Sequence, residues 1–431
     1  MKKMKVVIQA GGQGTRLGKK TMSVPKPMVK IIGKPILWYQ LEWCNRYDID
    51  EVFIIINHLG EVIKEFVDQN KNKFKFKIRL FNEILPLGTV GGIKALEANL
   101  RTDFLVLYGD VLFDIDLDRL LFFHINKKSE TTLVIHPNDH PHDSDLVELD
   151  ESQKIIAFHS KPHDSNKYYH NIVNAALYVF STKIFNYLPK DIKSDFGKDI
   201  FPNIVNKLQM YGYLTTEYLK DMGTPKRLEL VSNDIKSGKV FSKNLRNLQK
   251  AIFLDRDGVI NIDSPFIHSE EQFNMFPFVP EAICKINRSE YLVIVVTNQS
   301  VIARNLTDIN GLNKIHKKME HLLGKEGAYL DAIYYCPHHP DSGYPEENIE
   351  YKIDCECRKP KSGMFLSASK RFNIDLENSY IIGDSGRDII AGKNVGCTTI
   401  LVDTGNEVYD CEIEPDYKFS NLLQAVNFIF K

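Results

Sequence analysis

Short apolar runs alternate with amphipathic ones along most of the chain. In the first half KVVIQA, EVFIIIN, IRLFNE and FLVLYGD read as strands. Between them GEVIKEFV, VGGIKALEANL and DLDRLLFFHIN place apolar residues three and four apart, the helical period. Such alternation predicts an α/β fold with a mainly parallel sheet covered on both faces. From 131 to 181 strands crowd together (TTLVIHP, DLVELDE, IVNAALYVF), which predicts an antiparallel excursion. The pattern TPKRLELVSNDIKSG reads as a helix stopped by Gly238, and the polar stretch SKNLRNLQK fills 242–250. Strand–helix alternation restarts at AIFLDRD, so two domains are expected, 1–243 and 247–431.

Composition changes this picture little. At 431 residues the chain suits two or three domains of roughly 100–200 residues each. Hydrophobic residues make up 43% and charged residues 26%, which is globular composition. A formal charge of −1 leaves no basic footprint for nucleic acid, and no apolar run reaches the roughly 20 residues that span a bilayer. The opening MKKMKVVIQA lacks a small-residue cleavage pattern and reads as a first strand. Seven cysteines without a secretion signal predict reduced thiols or metal ligands in a cytoplasmic protein.

Two stretches carry candidate chemistry. The first, VVIQAGGQGTRLG, has neither P-loop spacing nor the dinucleotide fingerprint, and residues 1–41 contain no Asp or Glu to hold a ribose. The same residues hold Lys2, Lys3, Lys5, Arg16, Lys19, Lys20, Lys26, Lys30 and Lys34. A cationic segment around a glycine turn suits a polyanion such as a triphosphate: Gly11, Gly12 and Gly14 admit it to backbone N–H groups, and Arg16 and Lys26 supply charge. The second stretch is AIFLDRDGVIN. On strand geometry Asp255 and Asp257 project together while Arg256 points elsewhere, and paired carboxylates at a strand end call for a cation or proton between them. Further on, CPHHP and CEC bring Cys336, His338, Cys355 and Cys357 into one loop, the right number and type for tetrahedral zinc with no open position, hence a structural site. Cys44, Cys284, Cys397 and Cys411 read as plain thiols and His339 as a spare.

The first half resembles the sugar-nucleotide pyrophosphorylases. GGQGTRL, Thr21 with PKPM, LPLGTVGGIKAL, LYGDVLF, SKP, VNAALYVF and DMGTP occur in that order over roughly 4–235. The resemblance implies a Rossmann-like mixed-sheet fold and attack of a sugar 1-phosphate on an NTP. Asp110 and Asp221 would hold Mg2+, Lys161 the sugar phosphate, Gly88 would lie by the base, and Asn174 would face the sugar. One departure is Ser160, where the family carries a glutamate that touches sugar hydroxyls.

The second half resembles the haloacid-dehalogenase phosphatases. DRDGVIN, TNQS, the cysteine loop with RKPKSGM and GDS are similar to the D,D-heptose 1,7-bisphosphate phosphatases, and close to the histidinol-phosphatase domain, over about 250–405. This implies a HAD-like α/β fold with a zinc loop. Asp255 would be the nucleophile and Asp257 the general acid and base; Thr297 and Lys359 would steady the phosphoryl group. Asp384 would complete a Mg2+ site with Asp255 and the Asp257 carbonyl, with Asp388 in support. Asp263, Asn298, Gln299, Ser300, Arg304 and Arg358 would contact substrate, and Val301 and Asn305 replace glycines usual in the family.

A phosphatase that makes heptose 1-phosphate feeds a transferase that consumes it, so the expectation is a bifunctional enzyme of nucleotide-activated heptose synthesis. GTP is the favoured donor by analogy, NTP and heptose phosphates are the small-molecule partners, and self-association is left open. Neither a nucleic-acid nor a membrane partner is expected. The rival readings are a hexose-1-phosphate transferase fused to another small-molecule phosphatase, and a nucleotide-sugar sensor controlling the phosphatase.

Overall fold

The structure, a computed structural model, describes residues 3–12, 23–341, 343, 346–406 and 412–431. It divides into two compact units. The first comprises Met1–His136, Ser144–Lys161 and Ile172–Asn244; the second comprises Pro137–Asp143, Pro162–Asn171 and Leu245–Lys431. Two segments that the sequence pattern assigns to the first domain thus group with the second, where His142 and Tyr168 pack their rings against His321. Ring contacts of this kind leave no periodic trace in a sequence.

The first unit is built on a nine-stranded sheet. Met4–Gln9 lies at its centre, parallel to Ile49–Ile56 on one side and Phe104–Tyr108 on the other, with Lys77–Asn82 parallel at the edge. Val6, Val7 and Ile8 are fully buried, as a strand covered on both faces requires. The antiparallel excursion falls where expected: Val173–Phe180 pairs antiparallel with Phe104–Tyr108 and with Thr131–His136. The helix Gly91–Ala95 is shorter than its pattern, because from Leu96 the chain tightens into turns bonded back to Ile93 and Lys94. The next helix starts as its sequence predicts, with Asp116 accepting from Asp118 N at Leu117–Asn126.

The second unit has a six-stranded, all-parallel sheet in the order Ala332–Cys336, Tyr291–Asn298, Lys250–Leu254, Tyr380–Gly383, Thr398–Val402, Tyr417–Phe419. The chain departs from Lys250–Leu254 to strands on either side, so the crevice at its carboxyl end is the place where such sheets bind ligands. The polar stretch at 242–250 bonds within each unit: in the first, Asn244 is buried and donates to Asp114 Oδ1 at 2.7 Å, and in the second Gln249 N donates to Asn373 O at 2.9 Å. Its polarity serves buried pairing. Among the described residues no helix is long and apolar enough to cross a membrane.

Candidate active sites

In the first unit the strand Met4–Gln9 delivers Gly11 and Gly12 to its carboxyl end; Gly14 and Arg16 lie outside the described residues. Lys26 opens a short helical turn, Lys26–Met28, and its ammonium meets Asp110 Oδ2 at 2.7 Å. Asp110 occupies the turn between Phe104–Tyr108 and Val111–Asp114. The second of these strands pairs antiparallel with Tyr218–Asp221, which sets Asp221 opposite Val111, and Met222 N donates to Asp110 O at 2.9 Å. Two carboxylates far apart in sequence are thereby neighbours. Each carries its own cation: Arg227 Nη1 donates to both oxygens of Asp221, at 2.9 and 2.8 Å. Sequence patterns missed Arg227, and they also missed Gln40. That buried amide donates to Tyr108 O and Val111 O, both at 2.8 Å, and so clamps the two ends of the Asp110 turn.

Gly88 adopts φ +79°, and a Cβ there would lie 2.2 Å from Ser194 O, so only glycine fits the backbone contact. Lys161 is exposed, and its backbone N donates to Asp145 Oδ1 at 3.2 Å. Asn174 N donates to Asp145 O at 3.0 Å, while its side chain donates to Tyr178 Oη at 3.0 Å. Asp145 therefore ties together the two segments expected to face the sugar, a role for which its sequence gives no signal. Ser160 donates to Gly197 O at 2.6 Å, so the position that departs from the family pattern makes an internal bond here.

In the second unit the sheet places Asp255, Thr297 and Asp384 at or just past the carboxyl ends of its strands. The strand ends at Leu254, and Asp255 N donates to Ile382 O of the neighbouring strand at 3.0 Å. Asp255 Oδ2 lies 2.8 Å from Lys359 Nζ, whose other contact is Asp388 Oδ1 at 2.5 Å. Lys359 and Asp388 are both buried. Although burial opposes it, Asp255 and Asp388 hold the Lys359 ammonium above the ordinary lysine value. Asp388 also accepts from Ser385 Oγ at 2.7 Å, which fixes it beside Lys359.

Asp255, Asp384 and Asp388 place one oxygen each within 4.8 Å of one another. Burial pushes the Asp384 carboxyl up to about 8, with Asp255 and Asp388 adding to it. Burial likewise raises Asp255 to about 6 against the pull of Lys359. Three carboxylates beside one ammonium leave a deficit of positive charge, and hard oxygen donors in that state fit Mg2+. Gly258, at φ +75°, admits the approach: a Cβ there would stand 2.2 Å from Asp384 Oδ2.

Arg256 does not point elsewhere. The strand has ended, alternation no longer applies, and the guanidinium returns to Asp257, with Nε at 3.1 Å and Nη2 at 2.8 Å from Oδ1 and Nη2 at 2.8 Å from Oδ2. Although burial opposes it, Arg256, then Asn261 and Gln299, hold the Asp257 carboxyl below the ordinary carboxylate range.

The expected substrate contacts divide. Asn298 spends its amide on Lys359, accepting from its N and donating to its O at 3.0 Å each. Gln299 is buried and donates to Asp257 Oδ2 and to Thr297 Oγ1. Arg304 lies over the Phe266 ring at 4.6 Å, with its Nε 3.4 Å from Ser300 Oγ. Asp263 accepts from Asn406 through its backbone oxygen at 2.7 Å, and Arg358 Nη1 donates to His338 O at 3.1 Å. Of the two positions where glycine is usual, only Asn305 has positive φ, +55°, which asparagine tolerates; Val301 is buried.

Cys336, His338, Cys355 and Cys357 converge with Sγ and Nδ1 atoms 3.3 to 3.7 Å apart. A zinc–sulfur bond of about 2.3 Å gives a tetrahedral edge of roughly 3.8 Å, so the donor set fits zinc in both size and softness. The Cys336 hydrogen bond chiefly lowers the Cys357 thiol to about 5, the thiolate character a metal ligand needs.

The two units therefore define an enzyme with two phosphate-chemistry centres, a nucleotidyltransferase and a phosphomonoesterase on one chain. Residues 5–238 match the nucleotidyl transferase family and residues 356–425 a HAD-hydrolase-like family. The D-glycero-beta-D-manno-heptose-1,7-bisphosphate 7-phosphatase of Vibrio cholerae is 43% identical over 159 residues, 37% of this chain and 83% of its own. That of Haemophilus ducreyi is 39% identical over 184 residues, 42% of this chain and 98% of its own. Among solved structures, the D,D-heptose 1,7-bisphosphate phosphatase of B. bronchiseptica, complexed with magnesium and phosphate, is 35% identical, with TM-score 0.37 over 42% of this chain and 98% of that one. HddC from Yersinia pseudotuberculosis is 26% identical, with TM-score 0.47 over 54% of this chain and 99% of that one. The chain belongs to the nucleotidyl transferase family through its first half and to the D-glycero-beta-D-manno-heptose-1,7-bisphosphate 7-phosphatase family through its second.

Proposed function

We propose that the chain catalyses two consecutive steps of nucleotide-activated heptose synthesis. The second unit removes the 7-phosphate of D-glycero-D-manno-heptose 1,7-bisphosphate, and the first transfers a nucleotidyl group, from GTP by preference, to the resulting heptose 1-phosphate. The observation that carries this is the pairing itself: a chain from the bisphosphatase family also belongs to the nucleotidyl transferase family, and its motifs resemble those of enzymes that take a sugar 1-phosphate of the kind that phosphatase would release.

In the phosphatase, Asp255 attacks the phosphorus, the bond to the C7 oxygen breaks, and Asp257 gives that oxygen its proton. Asp257 then takes a proton from the water that opens the aspartyl phosphate. Lys359 and Thr297 bind phosphoryl oxygens, and Asp388 keeps Lys359 in place. Asp255 and Asp384, with the Asp257 carbonyl, would hold Mg2+, which supplies positive charge against the phosphoryl group. In the transferase, Asp110 and Asp221 would hold Mg2+, and Lys26, Arg16 and Lys161 neutralise the phosphates while the acceptor oxygen displaces pyrophosphate. Gly11, Gly12 and Gly14 admit the triphosphate, and Gly88 and Asn174 line the base and sugar ends. Cys336, His338, Cys355 and Cys357 would hold zinc, which would shape the loop that carries Arg358 and Lys359. The compartment is cytoplasmic in this reading.

The test is to incubate the enzyme and Mg2+ with heptose 1,7-bisphosphate and each NTP in turn, then weigh the products. Phosphate, pyrophosphate and a GDP-heptose are expected. Phosphate release with no nucleotide sugar from any NTP would overturn the pairing.

A further inference from the structure

Asp145 is a half-buried carboxylate on which separate segments of the first unit converge. Its Oδ1 accepts from Lys161 N at 3.2 Å, and its backbone O accepts from Asn174 N at 3.0 Å. One residue thus touches both the lysine assigned to the sugar phosphate and the asparagine assigned to the sugar. Its Oδ2 lies against Gly197: a Cβ there would stand 2.5 Å from that oxygen, so only glycine leaves it room. The other carboxylate of this neighbourhood is committed to its own turn. Asp195 Oδ1 accepts from Gly197 N at 2.9 Å and from Lys198 N at 3.2 Å, and Asp195 Oδ2 accepts from Thr89 Oγ1 at 3.0 Å. The backbone around Asp145 is irregular on two sides. Between the pairs Asn174–Ile135 and Tyr178–Leu133 the strand Val173–Phe180 bulges against Thr131–His136, with Ala176 at φ +56°. Phe196–Ile200, which carries Gly197, turns as a π-helix. Bulges, positive φ at non-glycine residues and π-helical turns all concentrate where a fold must re-aim groups toward a ligand.

We propose that Asp145 binds ring hydroxyls of the sugar 1-phosphate and is the residue by which the transferase selects its acceptor. A carboxylate only accepts hydrogen bonds, and sugar hydroxyls are donors that can turn toward it. The assignment also accounts for position 160, where the resemblance expects a carboxylate and this chain has serine. Ser160 donates to Gly197 O at 2.6 Å, on the same glycine that Asp145 lies against, so the two positions meet at one residue. The inference rests on the first unit being the proposed sugar-1-phosphate transferase; it does not depend on which base the enzyme uses.

Asp145→Asn keeps an oxygen for the Lys161 N–H and removes the charge. In the full chain it should raise KM for heptose 1-phosphate about 10–100-fold, the range of hydrogen bonds to a charged group. KM for the NTP, and phosphate release by the second unit, should stay within about 3-fold. Monodeoxy heptose 1-phosphates, each lacking one ring hydroxyl, separate contact from scaffolding. At least one of them should lose about 10–100-fold in kcat/KM on the unaltered chain, because the carboxylate is left without its donor. On that substrate the Asp145→Asn penalty should shrink to within about 3-fold, since the two changes remove the same interaction. An unchanged sugar KM, a matching rise in the NTP KM, or an equal penalty on every deoxy sugar would overturn the proposal. Where lost phosphate release shows that the variant has not folded, the unaltered chain decides: equal use of all the deoxy sugars overturns the proposal and a selective loss supports it. A chain that converts mannose 1-phosphate in place of the heptose is tested with the deoxy derivatives of that sugar. Inertness of the unaltered chain on every sugar 1-phosphate would end the transferase reading and this inference with it, whereas a working transferase indifferent to Asp145→Asn removes this inference alone.

Discussion

The two centres handle phosphate with opposite arrangements of charge. In the first unit each carboxylate has a private cation, Lys26 on Asp110 and Arg227 on Asp221, and all four side chains keep contact with solvent. In the second, Asp255 and Asp388 share the ammonium of Lys359 while Asp384 stands with them within 4.8 Å, and Lys359 and Asp388 are buried. The contrast follows from the chemistry. A transfer that forms no bond to the protein needs cations poised around phosphates, and carboxylates that can exchange one cation for another. A covalent phosphatase needs a nucleophile raised in energy and stripped of water, so it tolerates an under-compensated cluster.

The sharpest way to break this comparison is Asp255→Asn. If only the second centre uses a protein nucleophile, phosphate release should fall by up to about 10⁶ while nucleotidyl transfer to heptose 1-phosphate continues. Parallel loss of both activities, measured on one preparation, would refute a division of labour.

Next in size is Cys355→Ser. Structural zinc contributes about 10–16 kcal/mol, comparable to the whole stability of a domain at about 5–15 kcal/mol. The variant should lose zinc by atomic absorption, disorder the loop bearing Arg358 and Lys359, and so lose phosphatase activity. Full activity in a zinc-free preparation would show that the loop stands without metal.

Gln40→Leu probes the other side. It leaves two buried carbonyls beside Asp110 without their donor, at about 1–3 kcal/mol each. Transfer should weaken, and its Mg2+ requirement should rise, with phosphatase rates unchanged. An unaltered Mg2+ titration would remove Gln40 from the account.

A subtler difference lies in pH. Asp384 is raised from 3.8 to about 8 and Asp255 to about 6, so folded, metal-free protein keeps protons that the unfolded chain has released. That contribution is fully present below about pH 4 and is lost as pH rises through about 6 and then about 8. Urea unfolding of the second unit, metal-free, should therefore weaken over this window, less so in Asp384→Asn, and Mg2+ should flatten the slope. Identical slopes in the two proteins would contradict the charge deficit.

The smallest effect expected is none. Heptose 1-phosphate is small and untethered, and at a typical turnover of about 10 s⁻¹ it has time to diffuse away. An equimolar mixture of Asp255→Asn and Asp110→Asn chains should then match the intact enzyme per active centre, in both lag and rate. A longer lag in the mixture would reveal direct transfer.

Much of this was legible in the sequence. Short continuous apolar runs mark the buried strands, and the candidate reactive residues sit where those runs end, so Asp110, Asp255, Thr297 and Asp384 could be placed before any coordinates. The zinc set was legible because its ligand types are rare and its spacing short. What escaped depends on partners distant in sequence or on where regular structure stops. Gln40 reaches carbonyls of the Asp110 turn, Asp145 binds two separate segments, and Arg227 looks like any helical arginine until Tyr218–Asp221 pairs beside Asp110. Arg256 was misread because alternation was carried past the end of the strand at Leu254.

Two glycines bear a consequence beyond their turns. A methyl group at Gly258 would come within 2.2 Å of Asp384 Oδ2, and one at Gly405 within 2.0 Å of the same atom. Neither residue offers a side chain to a substrate, yet alanine at either would displace the carboxylate on which the centre depends. In a saturation screen for phosphatase function both positions should score as intolerant as Asp255 itself. A map of lethal substitutions for this enzyme would thus outline the space its carboxylates need, and that outline is wider than the set of groups that react.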